Sequence, residues 1–402
     1  MNNILLISGI YPIPNGNRGT KVCHYFARDW VEMGYNVRVI YIDNIYPHIL
    51  YLFAKLFQKY IEAQTGAVVY KDRDNKVSNY ILDGVPVTRV PVYKPIPHGS
   101  ILKKSIKNAV KTIINTNRQN GFVPDVILGH FPNPQLEILS MLKAEYPFAK
   151  TSLVSHGDDD LLKKSYGKRI TTLMKNIDMW GFRSKAILNE FEALFGKVDN
   201  PFFCYSGIPD LFLQDIKPKT FEKPTHSFIY VGAMIKRKYP EKVLDALCMV
   251  YPSSDFSLTY VGKGQLENVL KTQVDNMCLQ SHVRLLGRIN RDQIIQEYDK
   301  AECMVMISKG EAYGLVYLEA MARGCITIAS KREGFDGVIV DGLNGFLCES
   351  GNADELAAVI RRINALTPTE RRRISEKAME TAQSLTDKKA AKLYIEEVIA
   401  RM

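Results

Sequence analysis

Two tandem parallel α/β domains, each doubly wound in the Rossmann manner, are the fold class this sequence predicts. Three observations predict it: apolar strand-like runs alternate with helical segments from the first residues, the alternation pauses over residues 206–225, and it then restarts for a second set of strands. A length of 402 residues suits two or three domains, and 46% hydrophobic with 24% charged residues is a globular composition.

In order, NNILLIS is an apolar strand, IPNGNRG a glycine-bearing loop, TKVCHYFARDWVEMG a helix closing at Gly34, and NVRVIYI a second strand, together a βαβ unit. Further strands are expected at VPVTRVPV (85–92), DVILGH (125–130) and KTSLVSH (150–156). SGIPDLFLQDIKPKTFEKPT, with three prolines and no clear period, reads as a linker. Beyond it the strands HSFIYVG, FSLTYVG, VRLLG, CMVMIS and CITIAS alternate with helical segments. The expected divisions are a first domain over 1–205, a linker over 206–225, a second domain over 226–385, and an amphipathic C-terminal helix over 386–402 that is free to pack back on the first domain.

Composition narrows the function classes. Seven cysteines, odd in number and without a CxxC pair, argue against a disulfide framework or a zinc site. The N-terminus lacks a basic signal region and no apolar run approaches a spanning length, so a cytoplasmic chain is expected. Residues 1–210 hold 26 Lys and Arg against 18 Asp and Glu, a surplus that favours an anionic partner surface. No nucleic-acid partner is expected. VGAMIKRK and VGKGQL follow strands, but neither completes G-x-G-x-x-G, which disfavours a dehydrogenase.

The stretch GEAYGLVYLEAMARG (310–324) poses the functional question. It reads as a loop and a helix after the strand CMVMIS, and apolar residues cover nearly every face of that helix around Glu319. A buried carboxylate without a partner is costly, so Glu319 needs either a nearby Arg or Lys or a ligand. Its loop, at a strand's carboxyl end, belongs at the mouth of a cleft between the domains, where Glu311 could face the same ligand.

These segments resemble the GT-B retaining glycosyltransferases of family 4, the group 1 glycosyl transferases. VGAMIKRK, LTYVGKGQL, VRLLGRI, GEAYGLVYLEAMARGCITIAS and DGLNGF succeed one another in that family's order, with Glu311 and Glu319 at the two ends of its E-x7-E motif. The resemblance implies a GT-B fold, two Rossmann-like doubly wound domains facing across a cleft. It implies transfer of a sugar from a nucleotide diphosphate sugar, taken as UDP-linked, to a glycan or lipid-linked acceptor in cell-surface polysaccharide or glycolipid assembly. No cofactor and no metal are expected. Glu319 would accept from the ribose hydroxyls and Glu311 would touch the donor sugar. Lys238 and Arg237 would face the diphosphate, together with Tyr313, Gly314, Leu315 and Val316 at the start of the motif's helix. Backbone near Arg288 and Ile289 would read the base, and Gly16 and Gly19 would cradle the donor. DVILGHFPNP nominates His130 as a catalytic residue beside the sugar, and SHGDDDLL brings His156 and Asp159 near the cleft.

The chain departs from the family pattern at Ala233, where an arginine is usual, and at Tyr239, where a glycine follows the basic cluster. Gly337 replaces a common glutamate, Ser206 the linker asparagine, and Asn17 and Arg18 stand where glycines often occur. Three alternatives stay open. A GT-A enzyme would hold a metal through Asp158–Asp160, a nucleotide-sugar epimerase or phosphorylase would need no acceptor, and a non-catalytic subunit would serve a polysaccharide assembly complex.

The segment SILKKSIKNAVKTIINTNRQNG (100–121) places Leu102, Ile106, Ala109, Val110 and Ile113 on one helical face and Lys103, Lys104, Lys107 and Lys111 on much of the rest. That pattern suits either an anionic membrane surface at the inner face of the membrane or an ordinary helix covering the sheet.

Overall fold

The computed structural model describes residues 2–14, 21–58, 74–95, 101–157 and 159–402, with backbone alone at 54 and 55. The first sheet comprises β1 (Asn3–Ser8), β2 (Asn36–Ile45), β3 (Ser78–Leu82), β4 (Val85–Tyr93), β5 (Val126–His130), β6 (Lys150–Ser155), β7 (Met179–Phe182) and β8 (Phe202–Phe203). Its order is β3-β4-β2-β1-β5-β6-β7-β8, parallel throughout except for the β3–β4 pair. The second sheet comprises β9 (Ser227–Val231), β10 (Ser257–Val261), β11 (Val283–Leu285), β12 (Cys303–Val305), β13 (Ile326–Ser330) and β14 (Phe346–Cys348), all parallel in the order β11-β10-β9-β12-β13-β14. That is the Rossmann order, and β4-β2-β1-β5-β6-β7 repeats it in the first domain.

The described helices are α1 (Val22–Glu32), α2 (His48–Leu56), α3 (Lys103–Gln119), α4 (Pro132–Glu145), α5 (Asp159–Tyr166), α6 (Ile170–Met174) and α7 (Lys185–Phe195) in the first domain. The second has α8 (Pro240–Val250), α9 (Glu267–Asn276), α10 (Arg291–Lys300), α11 (Leu315–Ala322), α12 (Ala353–Ala365), α13 (Pro368–Ser384) and, returning to the first, α14 (Asp387–Ile399).

Strands covered on both faces explain the near-continuous apolar runs. Leu5, Ile7, Ile40 and Ile42 point into a core closed by α3, α4 and α7, whereas Ile4, Leu6, Val37 and Val39 point to the opposite face, covered by α1 and α14. The antiparallel hairpin β3–β4 escaped the sequence reading, although its turn residues Asp83 and Gly84, at φ 47° and 78°, form the Asp-Gly pair that such turns favour.

The chain crosses between domains twice, and the two crossings bond to each other. Ile208 N–H donates to Leu385 O at 3.0 Å and Asp387 N–H to Ile208 O at 2.9 Å. Backbones approach so closely here that a Cβ on Gly207 would lie 2.2 Å from the Thr386 carbonyl carbon, which reserves the position for glycine. Beyond the crossing, α14 buries Ala390, Ala391, Tyr394, Ile395 and Val398 in the first domain's core, and Trp30 Nε1–H donates to Ala391 O at 2.8 Å.

Helix α3 settles one open alternative. Ile106, Ala109, Val110 and Ile113 are buried in the core, with Ile101 beside them, so the apolar stripe is used by the fold and is not available to a membrane. The membrane-facing reading of that stripe is therefore corrected, and only its lysine face meets solvent. Among the described residues no helix is long and apolar enough to cross a membrane.

Candidate functional site

The carboxyl ends of the two sheets meet at Tyr313. This residue belongs to the loop after β12, yet its ring lies 5.1 Å from the Arg183 guanidinium at the end of β7 and 5.9 Å from the Tyr205 ring at the start of the linker. Arg183 is buried; it donates to Cys204 O at 2.5 Å and to Ser206 Oγ. Ser206, which departs from the family pattern, therefore serves as the acceptor for a buried cation. Among the described residues no carboxylate lies within ion-pair distance of Arg183, and the face of Tyr313 supplies part of its compensation.

On the second domain, Lys236–Lys238 form a single 3-10 turn after β9. Lys238 Nζ stands 3.0 Å from Glu311 Oε2, and Arg237 Nη1 is 4.0 Å from the same oxygen. The lysine contact is an ion pair without hydrogen-bonding geometry, so Glu311 Oε2 keeps an acceptor direction open. Arg237 also fastens the loop: its guanidinium donates to Lys309 O and Gly310 O, while Lys309 N–H donates back to Arg237 O at 2.7 Å. Tyr239, where glycine is usual, adopts φ 46° and ψ 47°, the left-handed conformation that glycine enters freely.

Gly314 precedes α11 at φ 89°, and a Cβ there would stand 2.4 Å from the Tyr317 ring. No side chain caps α11, so the N–H groups at its start, just beyond the Glu311 loop, carry the positive end of the helix without a side-chain partner. A lysine, an arginine and an uncapped helix start on one loop system are features that favour an anion. Behind it, Glu333 accepts from Glu311 N–H at 2.8 Å and holds the loop from the β13 side.

Glu319 sits on α11 with Tyr298 as its neighbour: Tyr298 Oη lies 3.4 Å from Glu319 Oε2 and 3.2 Å from Val316 O. No lysine or arginine is within ion-pair distance of Glu319 among the described residues, so the salt-bridge alternative does not hold. Burial pushes its carboxyl up to about 7, against the pull of the Arg291 charge. The group therefore exchanges its proton near neutral pH and, among the described residues, has Tyr298 as its hydrogen-bonding neighbour. Arg288 is exposed and Ile289 half-buried in the short connection from β11 to α10.

His130 differs from the other nominated residues in its burial. Its side chain is fully buried, with Phe26 and Tyr394 rings 5.9 and 5.5 Å away, and burial lowers its imidazole to about 3. As described, its ring is closed off from solvent. His130 Nδ1 instead lies 3.1 Å from His156 Nε2, and Phe131 stacks on the His156 ring at 3.9 Å. His156, half-buried at the carboxyl end of β6, is the member of the pair nearer the cleft, and His130 orients it. Asp159 is buried and accepts from Ser155 Oγ at 2.8 Å, Asp160 is exposed, and Asp158 lies outside the described residues, as do Gly16 and Gly19.

Sequence reasoning missed Arg183, Tyr298 and Glu333. Only Glu333 carried a local signal, being an acid in the loop after β13 near the position where the family's glutamate is absent.

Comparison with known proteins agrees with this geometry. Residues 213–381 match the family model for glycosyl transferases group 1. An uncharacterized glycosyltransferase of Methanocaldococcus jannaschii is 27% identical over 290 residues, 70% of this chain and 74% of that one. The amylovoran biosynthesis glycosyltransferase AmsK of Erwinia amylovora is 22% identical over 363 residues, 83% and 85% of the two chains. The crystal structure of Anabaena HepE in complex with UDP superposes with a TM-score of 0.68 at 16% identity, covering 100% of both chains. That likeness bears on the fold, and it removes the single-domain GT-A alternative. The chain has the GT-B fold, and its residues 213–381 match the group 1 glycosyl transferases.

Proposed function

We propose that the chain takes a sugar from a nucleoside diphosphate sugar, with UDP as the carrier, and passes it with retention of anomeric configuration to a glycan or lipid-linked acceptor, without a bound metal ion. The observation that carries this reading is the Lys238–Glu311 pair beside the uncapped start of α11. A diphosphate arriving there takes Lys238 and the Leu315 and Val316 N–H groups, which stabilise it as it departs. Glu311 is then released toward the sugar hydroxyls, while Glu319 accepts from the ribose. UDP as carrier draws support from its presence in the HepE structure. Retention rests on the family resemblance, in which the acceptor attacks from the leaving-group face and the departing phosphate takes its proton. His156, oriented by His130, lines the sugar side.

The test is a thermal-shift panel of nucleotide sugars in excess chelator, followed by nuclear magnetic resonance of the product's anomeric proton. Stabilisation by a UDP-sugar with an unchanged anomer supports the proposal. An inverted product, or activity that returns only on adding a divalent metal, contradicts it.

A further inference from the structure

A second cavity, of about 800 Å³, opens on the first domain between α6 and α7. Its lining combines Ile170, Met174, Trp180 and Phe195 with Lys163, Lys168 and Lys175. Trp180 and Ile170 are buried whereas the three lysines are exposed, so the apolar groups form the floor and the ammonium groups the rim. None of these lysines has an ion-pair partner among the described residues. Of the acidic side chains in the lining, Asp178 is already engaged by Lys143 Nζ at 2.8 Å and by Thr151, which leaves Asp199 against three free cations.

Position separates this cavity from the donor site. Ile177 and Asp178 lead into β7, and Val198 and Asp199 come just before β8, so it lies at the amino ends of strands whose carboxyl ends face the cleft. On the same edge, Phe148 before β6 is 96% exposed and Val123 before β5 is 64% exposed. Single exposed apolar residues are ordinary; two at the same strand-end face as an apolar cavity with a basic rim extend its apolar character.

We propose that this cavity binds an anionic amphiphile, its apolar chain on Trp180 and Ile170 and its phosphate-like head held by Lys163, Lys168 and Lys175. A small anion would leave the apolar floor wet, and a neutral amphiphile would leave the lysines unused; a molecule with both parts satisfies both. The cavity's volume falls in the range of small-molecule sites, and lysine stems can cover apolar surface while their heads reach an anion. The same chemistry can come from a free monomer or from a lipid in a bilayer, and Phe148 and Val123 would meet the bilayer in the second case. This inference is independent of the donor-site reading.

The test uses the full chain and dodecyl phosphate below its micellar concentration, followed through tryptophan fluorescence, to which Trp180 at the cavity and Trp30 in the core both contribute, with dodecyl maltoside and inorganic phosphate as controls. A saturable change is expected with dodecyl phosphate. It should weaken by about tenfold or more in the triple variant Lys163→Gln, Lys168→Gln, Lys175→Gln, at an unchanged melting temperature. Sedimentation with phosphatidylglycerol vesicles, lost in the same variant, assigns the source to a bilayer; binding of the monomer alone assigns it to a free amphiphile. An equal response to dodecyl maltoside, an equal response to inorganic phosphate, or indifference to the three substitutions overturns the proposal.

Discussion

Lys238 and Glu311 reach each other from two different strand ends, Nζ to Oε2 at 3.0 Å, with Glu311 just ahead of α11 in the chain. An ion pair of this kind is a ready exchange partner, because an arriving diphosphate can take the lysine while the carboxylate turns to hydroxyls. Replacing Lys238 by Ala is expected to lower turnover by roughly 100-fold, the usual loss for one preorganised electrostatic contact. Steady-state kinetics with circular dichroism checks this; a variant that folds and turns over within a few-fold of the parent contradicts the assignment.

Glu319 carries a pH dependence. Its carboxyl is raised to about 7 by burial, and under the proposed ribose contact the ionised form would be the stronger acceptor for two hydroxyls. Affinity for the nucleoside diphosphate is therefore expected to rise with pH through about 7 and to level above it. Glu319→Gln should bind more weakly at high pH and lose the slope. Titration at several pH values measures both, and an unchanged slope in the variant would exclude Glu319 as its source.

Asp387 makes the opposite kind of statement, about stability. Burial, helped by Asp29 and Asp210 and opposed by Arg28 and Arg291, raises its carboxyl to about 7. Between the ordinary carboxylate range and about pH 7, the native state then holds a proton that the unfolded state has lost, so stability falls as pH rises across that window. Asp387→Asn should flatten that part of the melting curve and raise the melting temperature at pH 8. A variant as pH-sensitive as the parent would place the effect elsewhere.

The histidine pair separates positioning from contact. His156→Ala is expected to reduce transfer while leaving affinity for the bare nucleoside diphosphate intact. His130→Phe should lower transfer through the displaced His156 ring, since the buried site accommodates an aromatic ring but no longer bonds to His156. Measuring nucleotide affinity and turnover together decides it: an equal loss of both would move the pair to the diphosphate.

The strands and both Rossmann units were legible because parallel strands buried on two faces leave uninterrupted apolar runs, as in NNILLIS and CITIAS. The approach of Glu311 to Lys238 was legible because one loop–helix unit and one turn at neighbouring strand ends carry them. Arg183 was not, since its meaning comes from Tyr313, Cys204 and Ser206, which the fold alone brings to it. Tyr298 was hidden for the same reason, and the burial of His130 was hidden because a strand-end position does not reveal which way a side chain points. The stripe on α3 shows the limit of periodicity, which is identical for a helix facing a membrane and one facing its own core.

The central claim is that the space between Lys238, Glu311 and the start of α11 holds a nucleoside diphosphate. Calorimetric titration of UDP into the parent protein, Lys238→Ala and Glu319→Ala at pH 8 tests it most directly. The account predicts one saturable site per chain in the parent and affinity at least about tenfold weaker in each variant. Undiminished binding in both variants, or no binding of UDP or any other nucleoside diphosphate to the parent, would contradict it.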